Sequence, residues 1–348
     1  MKVKINKKLE ISNKSRPLII AEISANHCGN KKKFLNLIKL AHKNGADLIK
    51  IQTYQPEDIV VNSKKKIYRI KCGLWKNKYM WDLYVKAQTP YKWHSDAFKL
   101  AQKIGATLFS TPFSVRGLKL LKKHKVQLYK IASLENTDFN LINEIAKTKK
   151  PIIISTGASS FREIKNALKL INKYHNKVII LHCVSEYPTP LNDVNLSRIT
   201  KLKKMFKKNL VGLSDHTNSI DSSLASIPLG AAVIEKHFKD NKKNKSLDSA
   251  FSIVPEELKQ LKYKSILYFN ATKINNNDIN KADLKAFKSK RSIFAKKNIN
   301  YNDKLSDKNI ISLRPKIGVG SQNYFKIIGK RVKRNISKDD PIFFKDLK

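Results

Sequence analysis

The sequence predicts an α/β fold, a (β/α)8 TIM barrel followed by a small C-terminal β-rich domain. Apolar, strand-like runs alternate with helical patterns about eight times, the signature of parallel βα units. Nearly every run ends in polar residues. The chain of 348 residues also exceeds the roughly 250 of a typical barrel, which leaves a second unit to be built. In order, the strands are expected at 18–24, 47–53, 107–111, 128–133, 151–156, 178–184, 210–215 and 232–237. Helical spacing is clearest at 32–44, 92–104, 140–147, 161–173 and 255–269. The connection 54–90 is far longer than a usual βα loop and carries Trp75, Tyr79, Trp81 and Tyr84, so a covering or binding role is expected. The barrel is therefore placed at 1–272. The stretch 273–290, polar and poor in periodicity, reads as a linker. A β-rich domain follows at 291–348, with strand-like pieces at 292–294, 310–313 and 330–332.

Composition excludes several classes. The formal charge is +44, yet only nine of the 71 basic residues are Arg, and the lysines recur along nearly every helical segment without clustering. Spread charge of this kind draws in anionic metabolites and reads as a compositional bias toward lysine rather than as a dedicated nucleic-acid surface. Cys28, Cys72 and Cys183 are odd in number and lack metal-ribbon spacing, so free thiols are expected. The opening 15 residues lack the apolar stretch of a secretory signal, and no later run approaches a membrane span, so a cytoplasmic protein is expected.

Barrel chemistry sits at the C-terminal ends of the strands, and a buried charge there needs a reason. Here those ends carry Glu22, Lys50 and Gln52, Thr111, Lys130 and Ser133, Ser155, Ser185, Ser214 and His216, and Glu235 and His237. Several are two residues apart, hence on one face of a strand. His216 and His237 end adjacent strands, and two neutral imidazoles suit a divalent metal ion with positions left for water and substrate. His27 follows the first strand and is a further rim candidate. Lys50 and Lys130, with the hydroxyls of Thr111, Ser133, Ser155, Ser185 and Ser214, match an anion bearing phosphate and carboxylate. A Schiff-base use of either lysine is the competing reading.

These residues resemble the sialic acid synthase family over almost the full length. The matching motifs are Ala21-Glu22-Ile23 with Asn26-His27, Lys50-Ile51-Gln52-Thr53, Phe109-Ser110-Thr111-Pro112-Phe113, Tyr129-Lys130-Ile131-Ala132-Ser133, Ile154-Ser155-Thr156-Gly157, Glu186-Tyr187-Pro188, Gly212 to Thr217 and Glu235 to Phe238. Arg291-Ser292, Arg314-Pro315 and Ile328-Gly329-Lys330 resemble the antifreeze-like SAF domain of that family. Leu83-Tyr84, the segment through Leu134-Glu135 and Asp248-Ser249-Ala250-Phe251-Ser252 are similar to its pseudaminic acid branch. Ser114, Ser219 and Lys316 depart from the family pattern, and His182 to Tyr187 is nearer the neuraminate type.

The resemblance implies condensation of phosphoenolpyruvate with an N-acetylated amino sugar, 2,4-diacetamido-2,4,6-trideoxy-altropyranose in the pseudaminic branch, to a nine-carbon 2-keto acid and phosphate. N-acetylneuraminate or legionaminic acid chemistry is the alternative within the family. A noncatalytic carbohydrate-binding or basic nucleic-acid-binding protein is the alternative outside it. It further implies a divalent metal, manganese with magnesium or cobalt as alternatives, on His216 and His237. Glu22 and Glu135 are assigned to sugar hydroxyls or proton transfer. Lys50, Gln52, Thr111, Lys130, Ser133, Ser155, Ser185 and Ser214 are assigned to substrate, with Tyr187 and Asp248 at the rim. Arg314 is expected to reach the sugar from the second subunit of a domain-swapped homodimer.

Overall fold

The computed structural model describes residues 1–272 and 279–348. The chain divides into two compact units, Met1–Lys273 and Ile274–Lys348. The first part of the expected linker, 273–278, lies outside the described residues; its remainder forms a short turn and helix in the second unit.

The first unit opens with β1 (Lys2–Lys4) and β2 (Glu10–Ser12), an antiparallel hairpin that the charged opening segment did not announce. Eight parallel strands follow: β3 (Leu18–Glu22), β4 (Leu48–Thr53), β5 (Leu108–Pro112), β6 (Tyr129–Ile131), β7 (Ile152–Ser155), β8 (Val178–Cys183), β9 (Leu210–Asp215) and β10 (Val233–His237). They close in the order β10-β3-β4-β5-β6-β7-β8-β9. Between them run α1 (Lys31–Lys43), α2 (Met80–Ala87), α3 (Tyr91–Ile104), α4 (Val115–Lys123), α5 (Phe139–Ala146), α6 (Phe161–Ile171), α7 (Ser197–Met205) and α8 (Asp221–Ala225), and α9 (Pro255–Ala271) closes the unit. Local sequence sets several helix starts. Asn30, Ser114 and Asp138 accept from the backbone N–H three residues on, and Ser160 and Glu163 form a capping box.

Alternation along each strand separates two packing surfaces. Outward residues such as Ile19, Ile49, Ile154 and Leu213 meet the helices. Inward ones near the strand starts, among them Ile20, Leu48, Phe109, Ile153, Leu181 and Val233, fill the barrel floor. Val3, Ile5 and Ile11 of the hairpin join that floor cluster and close the N-terminal end with apolar side chains.

The expected strands 18–24 and 128–133 are shorter, because Ser24–His27 and Ser133–Glu135 turn into 3-10 helix as the chain leaves the barrel. In the second unit α10 (Leu284–Phe287) precedes β11 (Ser292–Ala295), which pairs antiparallel with β12 (Ile310–Leu313), and α11 (Tyr324–Ile327) follows. The expected strand at 330–332 is not formed. Arg331 and Val332 make only single bridges, to Lys304 and Leu347. Ile293, Ile299, Leu305, Ile310, Val332 and Ile342 contribute to this unit's own core. Among the described residues no helix is long and apolar enough to cross a membrane.

Candidate active site

Two residues beyond the floor, the same inward face becomes charged. Ile20 is followed by Glu22, Leu48 by Lys50, Leu128 by Lys130, Ile153 by Ser155 and Val233 by Glu235. Above them opens a cavity of about 440 Å³ at the C-terminal end of the barrel. Lys50 Nζ lies 2.5 Å from Glu22 Oε2 and 3.7 Å from Glu235 Oε1, while Lys130 Nζ is 3.5 Å from Glu235 Oε1 and donates to Ser155 Oγ at 2.6 Å. Glu235 also accepts from Ser214 Oγ at 2.9 Å. All four charged residues are at least 95% buried.

Burial alone would push Glu235 up, but Lys130, Lys50 and the Ser214 hydroxyl together hold its carboxyl below the usual range. Glu22 has a weaker balance. Burial raises it to about 7 despite the Lys50 ammonium beside it. At the cavity base Lys50 and Lys130 therefore face one firmly ionised carboxylate and one that is readily protonated, and burial lowers Lys130 itself against the pull of Glu235.

Hydroxyls surround this base. Thr111 Oγ1 is 3.4 Å from Lys50 Nζ, and Gly157 N–H donates to Ser133 Oγ at 3.0 Å. The Ser185 hydroxyl is buried without a hydrogen-bond partner among the described residues. Gly157 makes this cluster possible: a Cβ there would fall 2.2 Å from Ser185 Oγ, 3.0 Å from Ser133 Oγ and 3.3 Å from Cys183 Sγ. An unpaired hydroxyl in the cavity that Lys50 and Lys130 also line is a free donor that an anionic group could engage.

His216 and His237 stand on the neighbouring ends of β9 and β10 with ring centroids 5.4 Å apart. His216 Nδ1 lies 2.7 Å from the Val184 carbonyl, which can only accept, so Nδ1 carries a proton; burial would lower this imidazole, but Cys183 and the Val184 carbonyl hold it above its ordinary value. His237 is held well below its ordinary value, first by burial and then by His216 and the lysines, and is neutral. Its Nδ1 is buried with no hydrogen-bond partner among the described residues. A neutral imidazole with an orphaned nitrogen, beside a second that would shed its Nε2 proton on binding, fits a divalent cation. Among the described residues no three His, Cys, Asp or Glu side chains gather into a cation site.

Aromatic rings and the long connection wall the cavity. Trp75 Nε1 donates to the Leu247 carbonyl at 3.2 Å, and the Tyr187 ring lies 4.2 Å from that of His216. Tyr54 packs edge-on against Tyr84 and Phe113. Glu135 and Asp248 stand at the rim. Asp248 is fixed by the Ser24 hydroxyl and by Ala25 N–H at 3.1 Å, and burial pushes its carboxyl up.

The cavity thus brings together Lys50, Gln52, Thr111, Lys130, Ser133, Glu135, Ser155, Ser185, Tyr187, Ser214, His216, His237 and Asp248. Glu22 is not among its lining residues. It lies fully buried beneath Lys50. Arg314 belongs to the second unit, exposed just after β12. His27 does not reach the rim. It is fully buried between Phe34 and Trp93, where burial lowers it to about 4. Glu235 was expected at a strand end but given no role, and Cys183 was not among the expected site residues, although it lies on an inward face two positions from Ser185.

A parallel barrel with a mouth that gathers two buried lysines, a ring of hydroxyls and paired histidines has the form of an enzyme site. Residues 37–275 match the NeuB family and residues 290–348 the SAF domain, and the chain belongs to the NeuB family. It is 39% identical to the pseudaminic acid synthase of Campylobacter jejuni subsp. jejuni serotype O:23/36 (strain 81-176) over 325 residues, which cover 93% of this chain and 94% of the relative. It is 34% identical to the N,N'-diacetyllegionaminic acid synthase of Campylobacter jejuni subsp. jejuni serotype O:2, over 94% of this chain and 99% of that one. Among solved structures, the N-acetylneuraminic acid synthetase of Leptospira borgpetersenii serovar Hardjo-bovis superposes with a TM-score of 0.74 at 28% identity, covering 82% of this chain and 95% of that chain.

Proposed function

We propose that this protein condenses phosphoenolpyruvate with the open-chain form of 2,4-diacetamido-2,4,6-trideoxy-altropyranose, releasing phosphate and a nine-carbon 2-keto acid, the reaction of a pseudaminic acid synthase. The observation that carries this reading is the pairing of Lys50 and Lys130 with a ring of hydroxyls directly beside His216 and His237. Identity to a named pseudaminic acid synthase supports the branch.

In this reading Lys50 and Lys130 neutralise the phosphate and carboxylate of the enol substrate. Ser133, Ser155, Ser185, Thr111 and Ser214 fix its orientation by hydrogen bonding, so that one face of C3 is presented to the aldehyde carbon. A divalent cation held by His216 and His237, manganese by family resemblance, would supply Lewis-acid polarisation of the aldehyde oxygen. The new C–C bond joins C3 to the aldehyde carbon; water then adds at C2, and phosphate leaves as the keto group forms. Glu22 holds Lys50 from below. Glu135, whose carboxyl burial raises to about 7, is protonated in part at neutral pH and can donate to a sugar hydroxyl or acetamido oxygen. Leu83, Ala87 and Phe113 line the cavity and offer a deoxygenated sugar carbon an apolar surface. The reading also assigns Arg314 of a second copy to the sugar, in a homodimer.

The test is phosphate release from phosphoenolpyruvate with manganese, offering the 2,4-diacetamido-trideoxy-altrose, its legionaminic counterpart and N-acetylmannosamine separately. Turnover with the first alone is expected. Turnover with another sugar moves the assignment to the legionaminic or neuraminate branch. Phosphate release unchanged by chelation refutes the metal assignment, and sedimentation as a monomer with full activity refutes the role of Arg314.

A further inference from the structure

We propose that Asp215 and Lys236 are positioning residues, an ion pair buried on the outer face of β9 and β10 that sets the separation and direction of His216 and His237 on the inner side. The proposal rests on the reading that those two imidazoles share a cation.

Strand alternation places the pair opposite the site. Ser214 and Glu235 point into the barrel, so Asp215 and Lys236 point outward, after Leu213 and Ile234 on the same face. The two residues are direct cross-strand partners in the parallel ladder. Both side chains are completely buried, with Lys236 Nζ 3.1 Å from Asp215 Oδ1.

The network reaches around His216 from both sides. Asp215, just before it, accepts from Ser222 Oγ at 2.7 Å, from Ser223 Oγ at 2.5 Å and from Thr217 N–H at 2.9 Å. Thr217, just after it, receives Lys236 Nζ on its carbonyl at 2.6 Å and on Oγ1 at 3.2 Å. Lys236 is itself the residue before His237. One ammonium group thus ties the Asp215 carboxylate before the first histidine and the Thr217 carbonyl after it to the strand carrying the second, and α8 anchors the carboxylate through two hydroxyls.

Stability does not explain such a pair. The strand residues before the pair on this face, Leu213 and Ile234, are apolar, and replacing a buried ion pair by well-packed apolar residues is often neutral or stabilising. What an apolar pair lacks is direction, since the hydrophobic effect has none whereas each of these hydrogen bonds fixes an angle. His237 needs that direction most, because its Nδ1 has no hydrogen-bond partner among the described residues while His216 has the Val184 carbonyl. Partners that orient metal-binding histidines through hydrogen bonds typically contribute 10–100-fold in metal affinity.

The experiment compares the wild type with Lys236→Met and with Ser222→Ala/Ser223→Ala, which removes two hydroxyls and keeps the ion pair. Each is read by manganese affinity without substrate, by the KM for phosphoenolpyruvate, and by the histidine ¹⁵N spectrum of the metal-free protein. For Lys236→Met we expect manganese binding weakened about 10–100-fold, the KM for phosphoenolpyruvate unchanged, and the proton on His216 Nδ1 exchanging faster. The double serine variant should shift the same readouts in the same direction by a smaller factor, and it decides the matter if Lys236→Met fails to fold. Folded variants with wild-type manganese affinity and wild-type imidazole spectra overturn the proposal. A wild type that binds no manganese refutes the metal reading instead, while the imidazole spectra still decide whether the pair positions the rings.

Discussion

The floor and the mouth of the barrel are built on the same strands and the same inward face, two residues apart, and their chemistry is opposite. At the floor Ile20, Leu48, Phe109, Leu128, Ile153 and Val233 pack with the N-terminal hairpin into a sealed apolar cluster. At the mouth Glu22, Lys50, Thr111, Lys130, Ser155 and Glu235 occupy the next inward positions, equally buried but charged or hydroxylated. Apolar burial stabilises in proportion to area, whereas every mouth residue carries a desolvation cost that only a partner offsets. The barrel thus gathers stabilising apolar contacts at one end of each strand and costly buried polar groups at the other, the end where barrel chemistry sits.

The largest separation of the two ends is expected from a matched pair of alanine substitutions. His237→Ala removes half of the paired histidine site, and phosphate release should fall about 10³-fold or more, equivalent to about 4 kcal/mol of transition-state stabilisation. Its unfolding midpoint in urea should stay level or rise, because a buried imidazole nitrogen without a partner is lost. Phe109→Ala, two residues from Thr111 on the same strand, should instead cost about 3–5 kcal/mol of stability by cavity formation, with kcat of the folded fraction preserved. A His237→Ala protein destabilised as much as Phe109→Ala would break the division.

A smaller effect should come from Gly157→Ala. The added methyl would displace the Ser185 hydroxyl, 2.2 Å away, out of the anion cluster while touching none of the floor. The KM for phosphoenolpyruvate should rise about tenfold, roughly 1.4 kcal/mol, with kcat and thermal midpoint little changed. A fall in kcat at constant KM would mean that the cluster acts in the chemical step and not in anion binding.

Much of this division was legible in the sequence, because the period of two places Lys50, Lys130, His216 and His237 on inward faces and polar residues at strand ends stand out against apolar runs. Glu135, Tyr187 and Asp248 became candidates only through family resemblance, and the fold shows why. They lie in or beside turns beyond the strands, where no period reports orientation. Asp215 and Lys236 were hidden for another reason. They face outward, and their burial depends on α8, a five-residue helix too short to show periodicity. His27 misled because a histidine after a strand has two destinations, and the 3-10 turn at Ser24–His27 sends it into the packing against Phe34 and Trp93. The N-terminal hairpin escaped notice because only alternate residues of a short charged segment, Val3, Ile5 and Ile11, are apolar and buried.

The smallest expected effect tests the mouth's own energetics. Glu135 stands at the cavity rim with Oε2 buried and without a hydrogen-bond partner among the described residues, and burial raises its carboxyl from the ordinary 4.5 to about 7, with Lys130 opposing. The folded state therefore binds this proton more tightly than the unfolded chain does. Its contribution to stability is fully present below pH 4.5 and is lost as pH rises through 7. Glu135→Gln stays neutral throughout, so the difference in unfolding free energy between wild type and variant should move against the wild type between pH 5.5 and pH 8. The change should be on the order of 1 kcal/mol once screening at a partly exposed site is allowed for. His27 and His94, both lowered to about 4 by burial, bias the total curve in the opposite sense, since their stabilisation is lost as pH falls from 6.5 toward 4. That bias is common to both proteins and cancels in the difference, so a flat difference would mean that the Glu135 carboxylate is solvated and that the mouth, like the floor, exacts no desolvation cost there.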